Sequence, residues 1–158
     1  MQKNQKKLPL RDGVGVVVLN KENKVFIAKR IDNPKNYWQM PQGGVDTGEN
    51  YYEAALRELE EETSIKNVLF IKEIDGFLTY NLPDNLLGII WKGKYKGQKQ
   101  KWFIVKFLGS DNEINIKTEN PEFIEWKWVK PEELSNIVVE FKKDVYAKLY
   151  NELKMLYV

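Results

Sequence analysis

Residues 43–65 read GGVDTGENYYEAALRELEEETSI, and the pattern changes at Asn50. Upstream, residues 41–49 (PQGGVDTGE) carry one Pro and three Gly, which predicts mostly loop. Asn50 followed three residues later by Glu53 resembles a capping box, a helix start signal. A helix from Tyr51 to about Thr63 follows, with Ala54, Ala55, Leu56 and Leu59 available for packing. At about 100° per residue, Glu58, Glu61 and Glu62 share one face, while Glu60 and Glu53 point nearly opposite. Like charges at these spacings cost roughly 0.2–0.5 kcal/mol per pair, and Arg57 alone lies near enough along the helix to offset them. A divalent cation would favour the cluster, because hard cations take carboxylate oxygens. A solvated Glu-rich face is the competing reading.

Working outward, residues 13–20 (GVGVVVLN) and 24–30 (KVFIAKR) predict two strands of a hairpin turning at Asn20-Lys21-Glu22-Asn23. Residues 31–40, which include Pro34, predict a loop. Residues 68–74, 77–82, 102–108 and 123–129 read as strands. Residues 92–101, basic with two Gly, read as a flexible loop or hairpin, and residues 131–134 as a short helical turn. Val138, Phe141, Val145, Leu149, Leu153 and Leu156 fall at steps of three and four, which predicts an amphipathic closing helix over 138–156. The sum is an α+β fold with strands packed between helices. No repeat or linker divides it, so residues 1–158 read as one domain.

The whole chain narrows the chemistry. It has 158 residues, no Cys and no His, which excludes disulfides, thiolate metal sites, thiol nucleophiles and histidine catalysis. Catalysis would need carboxylates, Lys, Tyr, hydroxyls or a metal held by oxygen. The formal charge of +2 hides segregation. Residues 1–40 hold nine Lys/Arg against three Asp/Glu, residues 41–65 one Arg against seven acids, and residues 91–106 six Lys and no acid. That pattern fits either chance clustering of solvated charge or a cation site beside an anion-binding groove. No apolar run approaches the ~20 residues of a membrane span. The polar start, MQKNQKKLPLRDG, lacks the apolar stretch of a signal peptide, so a cytoplasmic protein is expected.

From Gly43, five residues precede Glu49 and seven more precede Arg57, followed by Glu58, Leu59, Glu61, Glu62 and Ile65. This resembles the Nudix box, G-x5-E-x7-R-E-U-x-E-E-x-G-U, at every defined position but one. Ser64 stands where that family has Gly, which alters the helix C-cap at modest cost and removes no ligand. YWQMPQGG, GQKQKWF at 97–103, PEF at 121–123 and FKKDVY at 141–146 are similar to the bacterial RNA pyrophosphohydrolase subfamily, also described as dinucleoside polyphosphate hydrolases. The resemblance implies a Nudix α/β/α sandwich, a mixed sheet between helices with the box as loop–helix–loop.

It also implies the site. Glu58, Glu61 and Glu62, with the Gly43 carbonyl, are expected to hold a divalent metal, Mg²⁺ first and Mn²⁺ as the alternative. Glu122 matches a further metal-binding or base-like glutamate. Glu58 and Glu122 are both candidates for the general base. Arg57 is expected to orient the carboxylates, and Glu49 to fix the loop. Arg11, Arg30, Phe141 and Lys142 match substrate-contacting positions, although Phe141 alone would read as core. Lys99 and Lys101 alternate with Gln98 and Gln100, which would put two cations on one strand face toward substrate. The implied substrate is 5′-triphosphorylated RNA or a nucleotide polyphosphate. A dinucleoside polyphosphate hydrolase, a non-catalytic Nudix-like nucleotide-binding module and a metal-free partner-binding helix stand as alternatives. We expect no membrane association and a monomer or weak homodimer, with a protein activator left open.

Overall fold

The computed structural model describes residues 7–32 and 37–156. Pro34 of the predicted loop and the first six residues of the polar start lie outside that range.

Among the described residues, eight strands form one mixed sheet: β1 (Leu10–Leu19), β2 (Val25–Arg30), β3 (Trp38–Gln39), β4 (Gln42–Gly44), β5 (Val68–Glu73), β6 (Leu78–Asn81), β7 (Gly97–Phe107) and β8 (Phe123–Val129). The main path runs β3-β2-β1-β7-β5, with β4 beside β1, β6 beside β7 and β8 beside β2. β1 and β7 pair in parallel from Leu10↔Gly97 to Leu19↔Lys106, and the other pairs are antiparallel.

Both faces of the central strands are buried, as their near-continuous apolar runs require. Val14, Val16 and Val18 of β1 join Phe103, Val105 and Phe107 of β7 in the core under α1 (Tyr51–Thr63). Val17 and Leu19 join Trp102 and Ile104 in the opposite core, which is covered by α3 (Lys143–Leu156). A four-residue helix, α2 (Leu134–Ile137), precedes α3. The result is the expected sandwich of helix, sheet and helix.

Two expectations are corrected. Residues 97–101 are not loop. They begin β7, because the parallel pairing with β1 extends over all ten residues of that strand. The closing helix begins at Lys143 rather than at 138. Val138 and Val139 are extended, at ψ 155° and 147°, and Glu140–Lys142 form a single 3₁₀ turn. Consecutive β-branched residues favour that extended backbone. The break carries Phe141 and Lys142 to the lining of a cleft.

Candidate active site

α1 begins where the sequence places it. The Asn50 side chain accepts from the Glu53 backbone N–H at 2.8 Å, capping one free donor. It ends at Ser64, whose φ of 66° is left-handed and whose N–H donates to the Glu60 carbonyl at 2.9 Å. Ser64 Oγ donates to the Asn115 carbonyl at 2.9 Å. Ser64→Gly would therefore relieve a disfavoured conformation worth about 1–2 kcal/mol and lose a hydrogen bond worth about 0.5–1.5. These offset, and thermal melts should move by only a few degrees with turnover unchanged. A large gain in turnover would show that Ser64 weakens the site.

Arg57 is the hub of the box. Its guanidinium donates to Glu49 Oε2 and Oε1 at 2.7 and 3.0 Å, Glu58 Oε1 at 2.9 Å, Glu61 Oε2 at 3.2 Å and the Gly44 carbonyl at 2.8 Å. The hydrogen bond from Arg57 also holds Glu49 below the usual carboxylate range. Arg57 thus ties the loop to the helix and sets the carboxylate positions. Gly43 leaves the room that Glu58 occupies, since a Cβ there would fall 2.1 Å from Glu58 Cδ.

Glu62 is the unusual member. It is 5% exposed, and its Oε2 is buried without a hydrogen-bond partner. Burial raises its pKa well above the ordinary value, and the charges of Glu122 and Glu58 raise it further. Burial also raises Glu58, partly countered by Arg57. Among the described residues no three carboxylates converge into a ready ligand cage, and Arg57 pairs with Glu58 and Glu61. Even so, an orphaned buried carboxylate oxygen beside two further carboxylates is a donor set of hard oxygens, which suits a divalent cation.

Glu58, Glu62 and Glu122 line a cleft of about 1090 Å³ together with Gly43, Arg11, Arg30, Phe141 and Lys142. Arg30 donates to both oxygens of Asp32, at 2.9 and 3.0 Å, and to Glu122 Oε2 at 3.4 Å. Lys142 is 8% exposed, with its Nζ 5.4 Å from the Tyr80 ring centre and 5.9 Å from that of Phe141. Burial, and then the nearby Arg30 charge, push its pKa down to about 7, while Glu62 pulls the other way. Phe141 packs on Tyr80 with ring centres 5.6 Å apart, so it is both partly buried and cleft-lining.

Glu61 lies on the outer side of the helix, in a second depression shared with Glu58, Glu62 and Glu122. Lys99 and Lys101 are not in the cleft. Their side of β7 faces α1, where Lys99 Nζ sits 4.5 Å from the Phe77 ring centre and Lys101 donates to the Gly76 carbonyl at 2.9 Å. The alternating partners face the cleft side instead. Gln98 and Gln100 are fully buried in a network with Gln42, Tyr80 and Trp102. The sequence signal of that network in residues 97–103 is Gln alternating with Lys ahead of a buried Trp. Trp91 also lines the cleft and was not singled out by the sequence.

A three-layer sandwich whose glutamate-bearing loop and helix face a cationic, aromatic cleft defines a site for polyanions handled with a cation. The NUDIX domain family matches residues 9–150, and the chain belongs to that family of hydrolases, which work with divalent metal cations. It is 67% identical over 154 residues to an RNA pyrophosphohydrolase of Pelagibacter ubique, covering 98% of each chain. It is 44% identical over 150 residues to an RNA pyrophosphohydrolase of Orientia tsutsugamushi, covering 95% of this chain and 93% of that one. Among solved structures, the E. coli dihydroneopterin triphosphate pyrophosphohydrolase aligns with a TM-score of 0.71 at 20% identity, covering 92% of this chain and 99% of that one. A C. elegans Ap4A hydrolase aligns with a TM-score of 0.61 at 22% identity, covering 92% and 95%. Likeness at that level bears on the fold. Among the described residues, no helix is long and apolar enough to cross a membrane.

Proposed function

We propose that this chain, acting as a single domain, removes pyrophosphate from the 5′ end of triphosphorylated RNA and leaves a 5′-monophosphate that promotes decay of the RNA. One water is consumed and the anhydride between the first and second phosphates breaks. The observation that carries this reading is the meeting of an acidic wall with a basic, aromatic wall in one cleft. The 67% identity to a protein of that activity supports the substrate. A substrate of that kind fits a cytoplasmic enzyme.

Glu58, Glu61, Glu62 and Glu122, with the Gly43 carbonyl, would hold the divalent cation, with Mg²⁺ favoured by an all-oxygen set. Bound there, it would supply charge neutralisation and a more acidic water. Arg57 keeps the carboxylates in place. Arg11, Arg30 and Lys142 supply positive charge toward a phosphate chain, and Glu58 and Glu122 are the carboxylates available as base. Phe141 offers a ring for a base of the RNA. Lys99 and Lys101 are turned to the other face of β7, against Phe77 and Gly76, and take no part in this binding.

A side-by-side rate comparison on triphosphorylated RNA and diadenosine tetraphosphate tests the reading, and faster cleavage of the dinucleotide would replace it with the dinucleoside polyphosphate alternative. Phe141→Ala adds a second check. Base stacking is worth about 1–3 kcal/mol, so kcat/KM on RNA should fall roughly tenfold or more, with a smaller loss on a free nucleoside triphosphate. Equal losses on both would count against stacking on RNA.

A further inference from the structure

We propose that Trp91 is a positioning residue that holds Arg11 toward the phosphate chain and away from the carboxylates. This rests on the reading above that Arg11 meets phosphate. Arg11 projects into the cleft beside the acidic wall, yet none of the ion pairs among the described residues includes it. A long cation that shares a cleft with Glu58, Glu62 and Glu122 is drawn toward their charge unless something else holds it.

The geometry points to Trp91. Arg11 Cζ lies 5.4 Å from the centre of the Trp91 ring, within cation–π range. On the box side, a Cβ built on Gly44 would come within 2.4 Å of Arg11 Nη2, so the guanidinium also lies directly against that backbone. The indole and the box loop thus both bound the guanidinium.

The backbone that presents the ring is itself unusual. Trp91 and Lys92 have φ/ψ of 52°/36° and 57°/26°, and Gly93 follows at φ 71°. The other non-glycine residues with positive φ among those described are Asn23, in a hairpin turn, and Ser64, at a helix end. Those are ordinary places for it, whereas a bulky residue inside a left-handed turn is a genuine outlier. Such conformations persist when their surroundings over-determine them and cluster at functional sites. Here the turn closes on itself, since a Cβ on Gly93 would lie 2.9 Å from the Gly88 carbonyl. The base of the loop is tied by Leu82 N–H to the Lys96 carbonyl at 2.8 Å. Lys96 N–H in turn donates to the Pro9 carbonyl at 3.0 Å, two residues from Arg11. Tyr95 supports the ring edge-on at 6.2 Å. Turn, ring and arginine therefore form one unit at the cleft rim.

A double-mutant cycle tests this. Trp91→Leu, Trp91→Phe, Arg11→Ala and the Trp91→Leu/Arg11→Ala double variant are assayed with Mg²⁺ on a triphosphorylated RNA and on diadenosine tetraphosphate. Trp91→Leu should raise KM roughly fivefold, with kcat within about twofold. Trp91→Phe keeps a ring and should stay near wild type. In the Arg11→Ala background, Trp91→Leu should have no further effect. Trp91→Gly, which suits the left-handed backbone, repeats the cycle if the Leu variant does not fold. Additive losses, or a fall in kcat at constant KM, would overturn the proposal and leave Trp91 a scaffold residue. The cycle can be run on whichever polyphosphate is cut. A wild type that spares RNA would sink the substrate reading without touching this one.

Discussion

Glu62→Gln should stabilise the cation-free protein and remove most of its hydrolytic activity. The wild-type carboxylate is 5% exposed, has an orphaned oxygen and faces Glu58 and Glu122. Its folded-state pKa therefore lies well above the unfolded value of 4.5. Between those values the folded chain binds more protons than the unfolded one, so this group's contribution to stability falls as pH rises through that window. Without divalent cation, urea midpoints of the wild type should drop from pH 5 toward pH 8 more than those of the variant. The amide can donate to Glu58 without charge, so the variant should gain roughly 1–3 kcal/mol near neutral pH. Mg²⁺ should reverse the order. A cation at a hundred times its Kd adds about 2.7 kcal/mol to a protein that binds it, and the variant should gain less. Turnover should fall roughly 10²-fold or more, the scale on which groups that stabilise developing charge act. Near-wild-type turnover in saturating Mg²⁺, or a variant less stable than wild type without it, would defeat the assignment.

The same glutamate shows what could be read in advance. Helical geometry places Glu58, Glu61 and Glu62 on one face, and the Asn50 cap and the end at Thr63 are local signals that tertiary packing did not overrule. What the spacing could not rank is burial. Glu61 is exposed and Glu62 is sealed, and only Glu62 lines the cleft with Arg30, Glu122 and Lys142, so the surroundings of the helix rather than its own geometry make the difference. The lysines of β7 failed for a related reason. Period two separates Lys99 and Lys101 from Gln98 and Gln100, but both faces of the strand beyond Trp102 are buried. Alternation therefore fixes which residues share a face without saying which face meets the cleft. The closing helix failed at its start because steps of three and four continue back through 138 and 141, where the backbone is already extended and then turns. That irregular turn is what brings Phe141 and Lys142 to the cleft, and its apolar spacing reads as helix.

Lys142→Met should strengthen the fold at pH 6 and weaken substrate binding. The wild-type ammonium is buried beneath Tyr80 and Phe141, and its pKa is pushed down to about 7 from an ordinary 10.5. Below pH 7 both folded and unfolded chains carry the charge, and the folded state bears the full cost of burying it. Between about 7 and 10.5 the unfolded chain holds the extra proton, so wild-type stability rises with pH across that window. The advantage of Met should therefore be largest at pH 6 and shrink toward pH 10, as read from urea midpoints at both. Binding runs the other way. A triphosphate beside Lys142 favours its charged form, so the complex takes up a proton at pH 8. Calorimetry in two buffers of different ionisation enthalpy should detect that uptake in the wild type and lose it in the variant. Wild-type KM should climb as pH passes upward through 7. The variant should show a KM roughly 10- to 100-fold higher at pH 6, as for a lost charge-assisted hydrogen bond. It should keep the pH dependence of the terminal phosphate, whose second ionisation lies near pH ~6, and that of Glu62 and Glu58, which burial raises. If both proteins show the same slope above pH 7 and the same proton uptake, Lys142 does not meet the phosphates.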